Sequence, residues 1–494
     1  MSAGSDIWIG IDLGTQSVRA LAVTSDGEVR SSGQAPLASE RRDTRHEQNP
    51  DEWWSALGLA CRAAMSGLRP TDCVRALSVC GTSGTVLLVD AQGKALTVGL
   101  MYDDGRAADE AERANALGRP LWTRLGYGTI QRVWGLPKWM WLASRHKDQP
   151  AYLAQQADYI TGRLAGRRTA ADLSNALKSG CDTIEGRWNT ALMESLGLAP
   201  DRLPGLVRPG TQVGTVDRSA AAHTAIPEGV AIIAGMTDGC ASQLASGAAA
   251  AGSWNSVLGT TLVMKGKSPS LIHDPGGVVY SHRSPDGDWL PGGASSAGAG
   301  AFVRALGSDA DLGSLSHKAA QSRERPAIVY PLASGRGERF PFIAADVTLA
   351  LPDTLTGDPV QTYRSLSHGI AAVERLCFDY LQATGFPING QISLTGGGIK
   401  SAYLSGLRAT MLNRQLVVPA IAEPALGMAL LASTIEHSLS NASRDMVRIA
   451  QRIDPDPAHR AEADDYYTAF VDDLRAKGWL APTLADQAHG HVKA

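Results

Sequence analysis

The chain has 494 residues, of which 44% are apolar and 19% charged, with a net charge of -3. That length exceeds one ordinary hydrophobic core and points to two or more domains. The near-neutral balance gives no electrostatic reason to expect nucleic acid or an anionic membrane as partner. Residues 7–12 are a short apolar run ending in a Gly turn, which predicts a buried strand. Residues 18–24 predict a second strand, and Ser25-Asp26-Gly27 a hairpin leading to a third. Asn49-Pro50-Asp51-Glu52 reads as a helix start, with Asn as cap and acids at the positive end of the dipole. An amphipathic helix over 53–68 follows, then strands at 74–79 and 85–89 around the turn Gly81-Thr82-Ser83-Gly84. Residues 107–225 read as mostly helical, with Trp134, Trp139 and Trp141 as core residues. Later strands at 232–234, 254–258 and 391–395 run into Gly235-Met236-Thr237-Asp238, Gly259-Thr260-Thr261 and Gly396-Gly397-Gly398. A helix is expected from Ser401, and beyond residue 440 the chain reads as polar and helical, with 486–494 as a frayed tail. This alternation argues for an α/β fold.

The six cysteines are scattered, form no CxxC pair and mostly lie in apolar stretches, so they are expected to be reduced core residues. Asp6, Asp12 and Arg19 interrupt the first apolar segment, so no signal peptide is expected. The uncharged stretch 239–264 is too rich in Gly, Ser, Asn and Thr for a membrane span. A cytoplasmic location is the expectation.

Asp12-Leu13-Gly14-Thr15 places an acid, a glycine and a hydroxyl where a strand meets a tight turn. Backbone N–H groups there can approach phosphate oxygens, Thr15 can add a donor, and Asp12 can hold hydrated Mg²⁺. A plain hairpin junction gives the same pattern. Leu258-Gly259-Thr260 repeats Leu13-Gly14-Thr15 at the corresponding point of a second α/β half, which suggests a duplicated fold with a cleft between the copies. Gly396-Gly397-Gly398, between strand and helix, allows close backbone approach to a nucleotide and fits neither GxGxxG nor the Walker A loop. Asp238 follows a strand among small residues, where a carboxylate can accept a hydroxyl proton or cap a helix. Tyr102-Asp103-Asp104-Gly105-Arg106 offers partners for sugar hydroxyls and reads equally as a solvated loop.

In chain order these motifs resemble the FGGY family of carbohydrate kinases. His46-Glu47-Gln48-Asn49-Pro50 is similar to the family's stretch before its first long helix, and Pro137-Lys138-Trp139-Met140-Trp141-Leu142 to a family helix. Gly337-Glu338-Arg339 and Gly396-Gly397-Gly398-Ile399-Lys400-Ser401 complete the series. The resemblance implies two actin-like, ribonuclease H-like domains with a catalytic cleft between them. Residues 1–245 would mainly bind sugar, 246–440 mainly ATP, and 441–494 would form a helical extension and tail. It also implies Asp238 as general base, and Asp12, Ser83, Asp104 and Asp238 as sugar contacts. Mg²⁺ falls to Asp12 and Asp238; nucleotide falls to Thr15, Gly259, Thr260, Gly397, Gly398 and Ser401.

Xylulokinases usually carry Ser-Gly-Gln-Met-His-Gly at the sugar turn, where this chain reads Ser83-Gly84-Thr85-Val86-Leu87-Leu88 without His. That departure, with Gly337-Glu338-Arg339-Phe340-Pro341, resembles the branch acting on D-ribulose. The expected activity is ATP-dependent phosphorylation of a pentulose at its terminal hydroxyl. D-xylulose or another ketose or polyol is the near rival, and a non-catalytic ATP-dependent binding protein on the same fold the distant one. The expected partners are a small sugar, no nucleic acid and no membrane, with a homodimer admitted as assembly. Near adenine, the family's aromatic position falls on Leu404, with Tyr403 beside it.

Overall fold

A computed structural model describes residues 4–147, 150–333 and 335–493. The chain forms two compact α/β units. The first comprises Met1–Ala249, His282–Leu290 and Ile421–Arg448; the second comprises Ala250–Ser281, Pro291–Ala420 and Ile449–Ala494.

In the first unit β1 (Asp6–Leu13), β2 (Ser17–Thr24) and β3 (Val29–Pro36) form an antiparallel meander. Helix α1 (Pro50–Ser66) follows, capped by Asn49, whose side chain accepts the Asp51 N–H at 3.0 Å. The chain then enters β4 (Cys73–Gly81), parallel to β1. Strands β5 (Gln212–Thr215) and β6 (Ala231–Ile233) complete a six-stranded sheet of order β5-β6-β4-β1-β2-β3. Period-two alternation divides β1 between two cores. Ile7, Ile9, Ile11 and Leu13 pack with Trp53, Leu57, Leu77 and Val79. Trp8 packs on the other face with α2 (Asp238–Ala245) and the helix Pro424–Ser433. Gly10 makes that approach: a Cβ there would collide with the Ala425 carbonyl.

The second unit repeats the arrangement. Strands β7 (Trp254–Leu258), β8 (Leu262–Gly266) and β9 (Trp289–Ala294) are antiparallel in turn. Helix α3 (Pro359–Ala383) leads to β10 (Ile392–Thr395), parallel to β7. Helix α4 (Ala402–Leu412) leads to β11 (Leu416–Pro419), parallel to β10. The order β9-β8-β7-β10-β11 matches β3-β2-β1-β4-β6 strand for strand, the ribonuclease H-like, actin-like topology. Leu13 and Leu258 each end the first strand of their sheet.

Three expectations change. The 107–225 stretch contains strands Tyr152–Gln155, Ala171–Asp172 and Leu206–Val207 besides β5. Each has four residues or fewer, too few for a period-two pattern to show. Beyond residue 440, β12 (Ile449–Ile453) pairs antiparallel with β11. Of the expected frayed tail, residues 486–493 belong to a helix over Pro482–Lys493, which Leu484, Ala485 and Ala488 dock on the core of the second unit, and Ala494 lies outside the described residues.

All six cysteines are free and five are buried, Cys73 being exposed. Trp134 and Trp139 are core residues. Trp141 lies between the Arg106 and Arg145 guanidiniums, 4.9 and 4.0 Å from its ring centre. Among the described residues no helix is long and apolar enough to cross a membrane.

Candidate active site

The carboxyl ends of β1, β4 and β6 meet at one edge of the first sheet, the usual place for ligands in α/β folds. Asp12 is in register with Cys80, and Gly81 bridges to Thr237, just beyond β6. Side-chain alternation turns Asp12 to the face of Trp8 and Gly10, the face that packs on α2. Cys80 Sγ donates to Asp12 Oδ1 at 3.4 Å. Burial, then the neighbouring charge of Asp238, pushes the Asp12 carboxyl up from 3.8 to about 6. Thr237 occupies the N-cap position of α2 without a side-chain capping bond, and Ser174 Oγ fixes it by accepting its N–H at 3.2 Å. Asp238 is the first residue of that helix, and its Oδ1 accepts the Gly239 N–H at 2.7 Å. The predicted pair Asp12 and Asp238 is therefore brought together.

Gln156 clamps the turn after β4: its Oε1 accepts from the Thr82 N–H at 2.9 Å and the Thr82 hydroxyl at 2.8 Å. Ser83, predicted to touch sugar, has a buried Oγ with no partner. Lys178 Nζ reaches the Ser83 carbonyl at 3.5 Å. Asp104 is fully buried. Its oxygens accept from Arg106 Nε and Nη2 at 2.8 and 2.7 Å, from the His46 N–H at 2.8 Å and from the Arg106 N–H at 3.2 Å. The chain itself thus takes up this carboxylate.

The sequence reading missed His46, Gln156, Lys178 and Cys80 as site-shaping groups. Only His46 carried a signal, by its place directly before Glu47-Gln48-Asn49-Pro50. Lys138, from the family-like helix, is fully buried and donates to the Met101 carbonyl at 2.6 Å. Burial lowers it to about 7, with Asp104 acting the other way.

In the second unit the turns after β7 and β10 adjoin. Gly396 has φ +83° and would strike the Leu258 carbonyl if it carried a Cβ, while Gly398 lies on the Leu258 side chain. Gly397 and Thr260 are exposed and Gly259 half-buried. The Gly259 and Thr260 carbonyls accept from the Ala299 and Gly300 N–H groups at 3.1 and 3.0 Å. Small exposed residues on a braced frame leave backbone room for phosphate. Ser401 caps α4: its Oγ accepts from the Leu404 N–H at 3.0 Å and lies 2.7 Å from Ser316 Oγ, while the Tyr363 hydroxyl donates to it at 3.1 Å. Thr15 lies in the other unit, where Gln48 Nε2 donates to its carbonyl at 2.7 Å. Leu404 is buried in the core, whereas Tyr403 lines a groove of about 410 Å³ with Leu407 and Arg364.

Two α/β units of one topology, one with a paired-carboxylate edge and one with adjoining Gly turns, define a protein of the sugar-kinase class. The chain belongs to the FGGY family of carbohydrate kinases: the family's N-terminal domain matches residues 7–245 and its C-terminal domain residues 254–435. It is an ATP-dependent sugar kinase. A xylulose kinase of Streptomyces coelicolor is 30% identical over 59% of this chain and 60% of its own length. The Escherichia coli xylulose kinase is 26% identical over 93% of this chain and 96% of its own length. The crystal structure of xylulose kinase from Rhodospirillum rubrum superposes with a TM-score of 0.84, covering 95% of this chain and 98% of that one at 23% identity.

Proposed function

We propose that the chain transfers the γ-phosphate of ATP to the terminal hydroxyl of a pentulose, with Asp238 as general base. The observation that carries this is that the strand ends bearing Asp12 and Asp238 meet: Asp12 is in register with Cys80, and Gly81 bridges to Thr237, the residue before Asp238. As the sugar oxygen attacks the γ-phosphorus, its proton passes to the Asp238 carboxylate. The bond from that phosphorus to the β–γ bridging oxygen breaks and ADP leaves. The residues fit Mg²⁺. Asp12 and Asp238 are hard oxygen donors whose mutual repulsion a dication relieves. Asp12, with Asp238 beside it, would hold the ion. When bound, Mg²⁺ neutralises charge on the phosphate oxygens.

Gly259, Thr260, Gly397 and Gly398 of the second unit are assigned to nucleotide, as Thr15 is by the family resemblance, and Tyr403 rather than Leu404 to adenine, because Tyr403 lines a groove while Leu404 is buried in the core. Ser401 supports this surface as the cap of α4.

D-ribulose is the favoured acceptor, since the turn with the partnerless Ser83 hydroxyl lacks the xylulokinase His. D-xylulose is the second reading, favoured by the names of the relatives. A coupled ADP assay over D-ribulose, D-xylulose, L-ribulose and glycerol decides between them. D-ribulose should give the highest kcat/KM, and a tenfold preference for D-xylulose would reverse the assignment. Asp238→Asn should lower sugar-dependent kcat by about 10²–10⁴-fold while ATP still binds. Near-normal turnover in that variant would remove Asp238 as the base.

A further inference from the structure

Two acids sit side by side in Tyr102-Asp103-Asp104, and their surroundings differ. Asp104 is fully buried and accepts four hydrogen bonds from Arg106 and His46. The Asp103 side chain is 32% exposed. Its Oδ1 lies 2.5 Å from His46 Nδ1, and its Oδ2 accepts from Arg41 Nη1 at 2.9 Å. Arg41 and His46 are cross-strand partners on strands Glu40–Arg42 and Arg45–Gln48. They therefore present guanidinium and imidazole on one face, where both can grip a single carboxylate. A carboxylate offers about four acceptor positions. His46 and Arg41 take one on each oxygen and leave one on each.

The strand that carries His46 is tied to the turn after β1: Gln48, two residues on and buried on the same face, donates from Nε2 to the Thr15 carbonyl at 2.7 Å, three residues from Asp12. The neighbouring Tyr102 phenol is shifted upward by burial first, then by the charge of Asp103 and, more weakly, of Asp238. Tyr102 is 41% exposed and stands edge-on to His46, ring centres 6.3 Å apart. His46 Nδ1 is engaged by Asp103 and its Nε2 is buried without a partner, so its hydrogen bonding is spent on holding Asp103.

We propose that Asp103 is a specificity-determining sugar contact, its two oxygens accepting from adjacent hydroxyls of the acceptor, with His46 and Arg41 as positioning residues. This rests on the kinase assignment of the same unit. A carboxylate with one free position per oxygen matches a vicinal diol, in which two O–H donors lie side by side. An amide at residue 103 keeps one acceptor and turns the other atom into a donor, so it cannot serve both hydroxyls. The ligand class is a polyol or ketose with a vicinal diol, and the tail of a monofunctional alcohol gains nothing from the residue.

The test measures kcat and KM for wild type, Asp103→Asn, Asp103→Ala, His46→Gln and His46→Ala. The acceptors are the best sugar of the panel and its deoxy analogues lacking one hydroxyl each. Asp103→Ala is expected to lower kcat/KM for the parent sugar by about 10²-fold. Its KM for ATP should stay unchanged. For the deoxy analogue missing the contacted hydroxyl, wild type and Asp103→Ala should differ by less than about threefold. His46→Gln, which can still donate to Asp103, should retain more sugar affinity than His46→Ala, with little change in melting temperature. Equal loss on every analogue, or an unchanged kcat/KM for the parent sugar, would overturn the contact while leaving the kinase intact. A wild type that phosphorylates no sugar overturns the kinase assignment, and this proposal with it.

Discussion

At the scale of single residues, Asp12 shows how a reacting edge is held at a cost to stability. Burial and Asp238 raise its carboxyl from 3.8 to about 6, against the lowering effect of the Cys80 hydrogen bond and Arg19. A folded-state pKa above the unfolded one means that the folded chain binds this proton more tightly. The benefit is full at pH values below about 4 and is lost as pH rises through 6. Above that, the ionised Asp12 costs about 3 kcal/mol, since each tenfold change in proton affinity is worth roughly 1.4 kcal/mol. With divalent metal chelated, Asp12→Asn should therefore melt several degrees above wild type at pH 8 and level with it at pH 4, while losing sugar phosphorylation. Thermal melts at both pH values check this; an equal offset at both would show that ionisation is not the cause.

Between elements, the second unit is pinned by an ion pair without access to water. Arg408 on α4 donates from Nε and Nη2 to Glu374 on α3 at 2.6 and 2.7 Å, and both side chains are fully buried. Ser256 on β7 donates to the same carboxylate at 2.5 Å and accepts from Arg408 Nη2 at 2.8 Å. Three elements that frame the Gly turns thus share one polar knot. Glu374→Ala strands a buried guanidinium and should lower unfolding free energy by about 3–5 kcal/mol. The double replacement Glu374→Met with Arg408→Leu should recover most of that loss. Urea unfolding of wild type and both variants tests the claim, which fails if the double variant is as unstable as the single one.

The same scale shows what the sequence made legible. Strand 254–258 is found where expected because Val257 and Leu258 run directly into the turn Gly259-Thr260-Thr261. Asn49, Pro50 and two acids mark the start of α1 equally well. The helix Pro424–Ser433 is the opposite case. It is apolar on every side and nine of its ten residues are buried, so its sequence says that it is covered and not by which sheet. Of the two acids at 103 and 104, the resemblance offers Asp104 to the sugar, and residue spacing alone does not tell them apart. Which one turns inward is decided by Arg106, whose fork closes back on Asp104. Ser401, which the family resemblance offers to nucleotide, also holds the N-cap of α4 through its hydroxyl.

Over the whole molecule, the duplicated strand order explains why Leu13-Gly14-Thr15 and Leu258-Gly259-Thr260 match: each turn closes the first hairpin of its sheet. The chain does not, however, lay the units down one after the other. Ile421–Arg448 returns to the first unit, where the helix Pro424–Ser433 packs on β1 and α2. Leu426, Met428, Leu430 and Leu431 complete the core around Trp8, Ile233 and Leu244. Gly10 and Gly427 let the helix approach so closely that a Cβ at either would strike a backbone carbonyl, of Ala425 and Ala241 respectively. A fragment ending at residue 249 keeps α2 but leaves bare the part of this face that the helix Pro424–Ser433 covers. It should express as an aggregation-prone, dye-binding species without cooperative unfolding. Supplying 421–448, fused through a flexible linker, should restore a cooperative melt and quench the dye signal. If the fragment 1–249 alone unfolds cooperatively and binds no dye, the returning helix is dispensable to the first unit and its close packing on Gly10 contributes little.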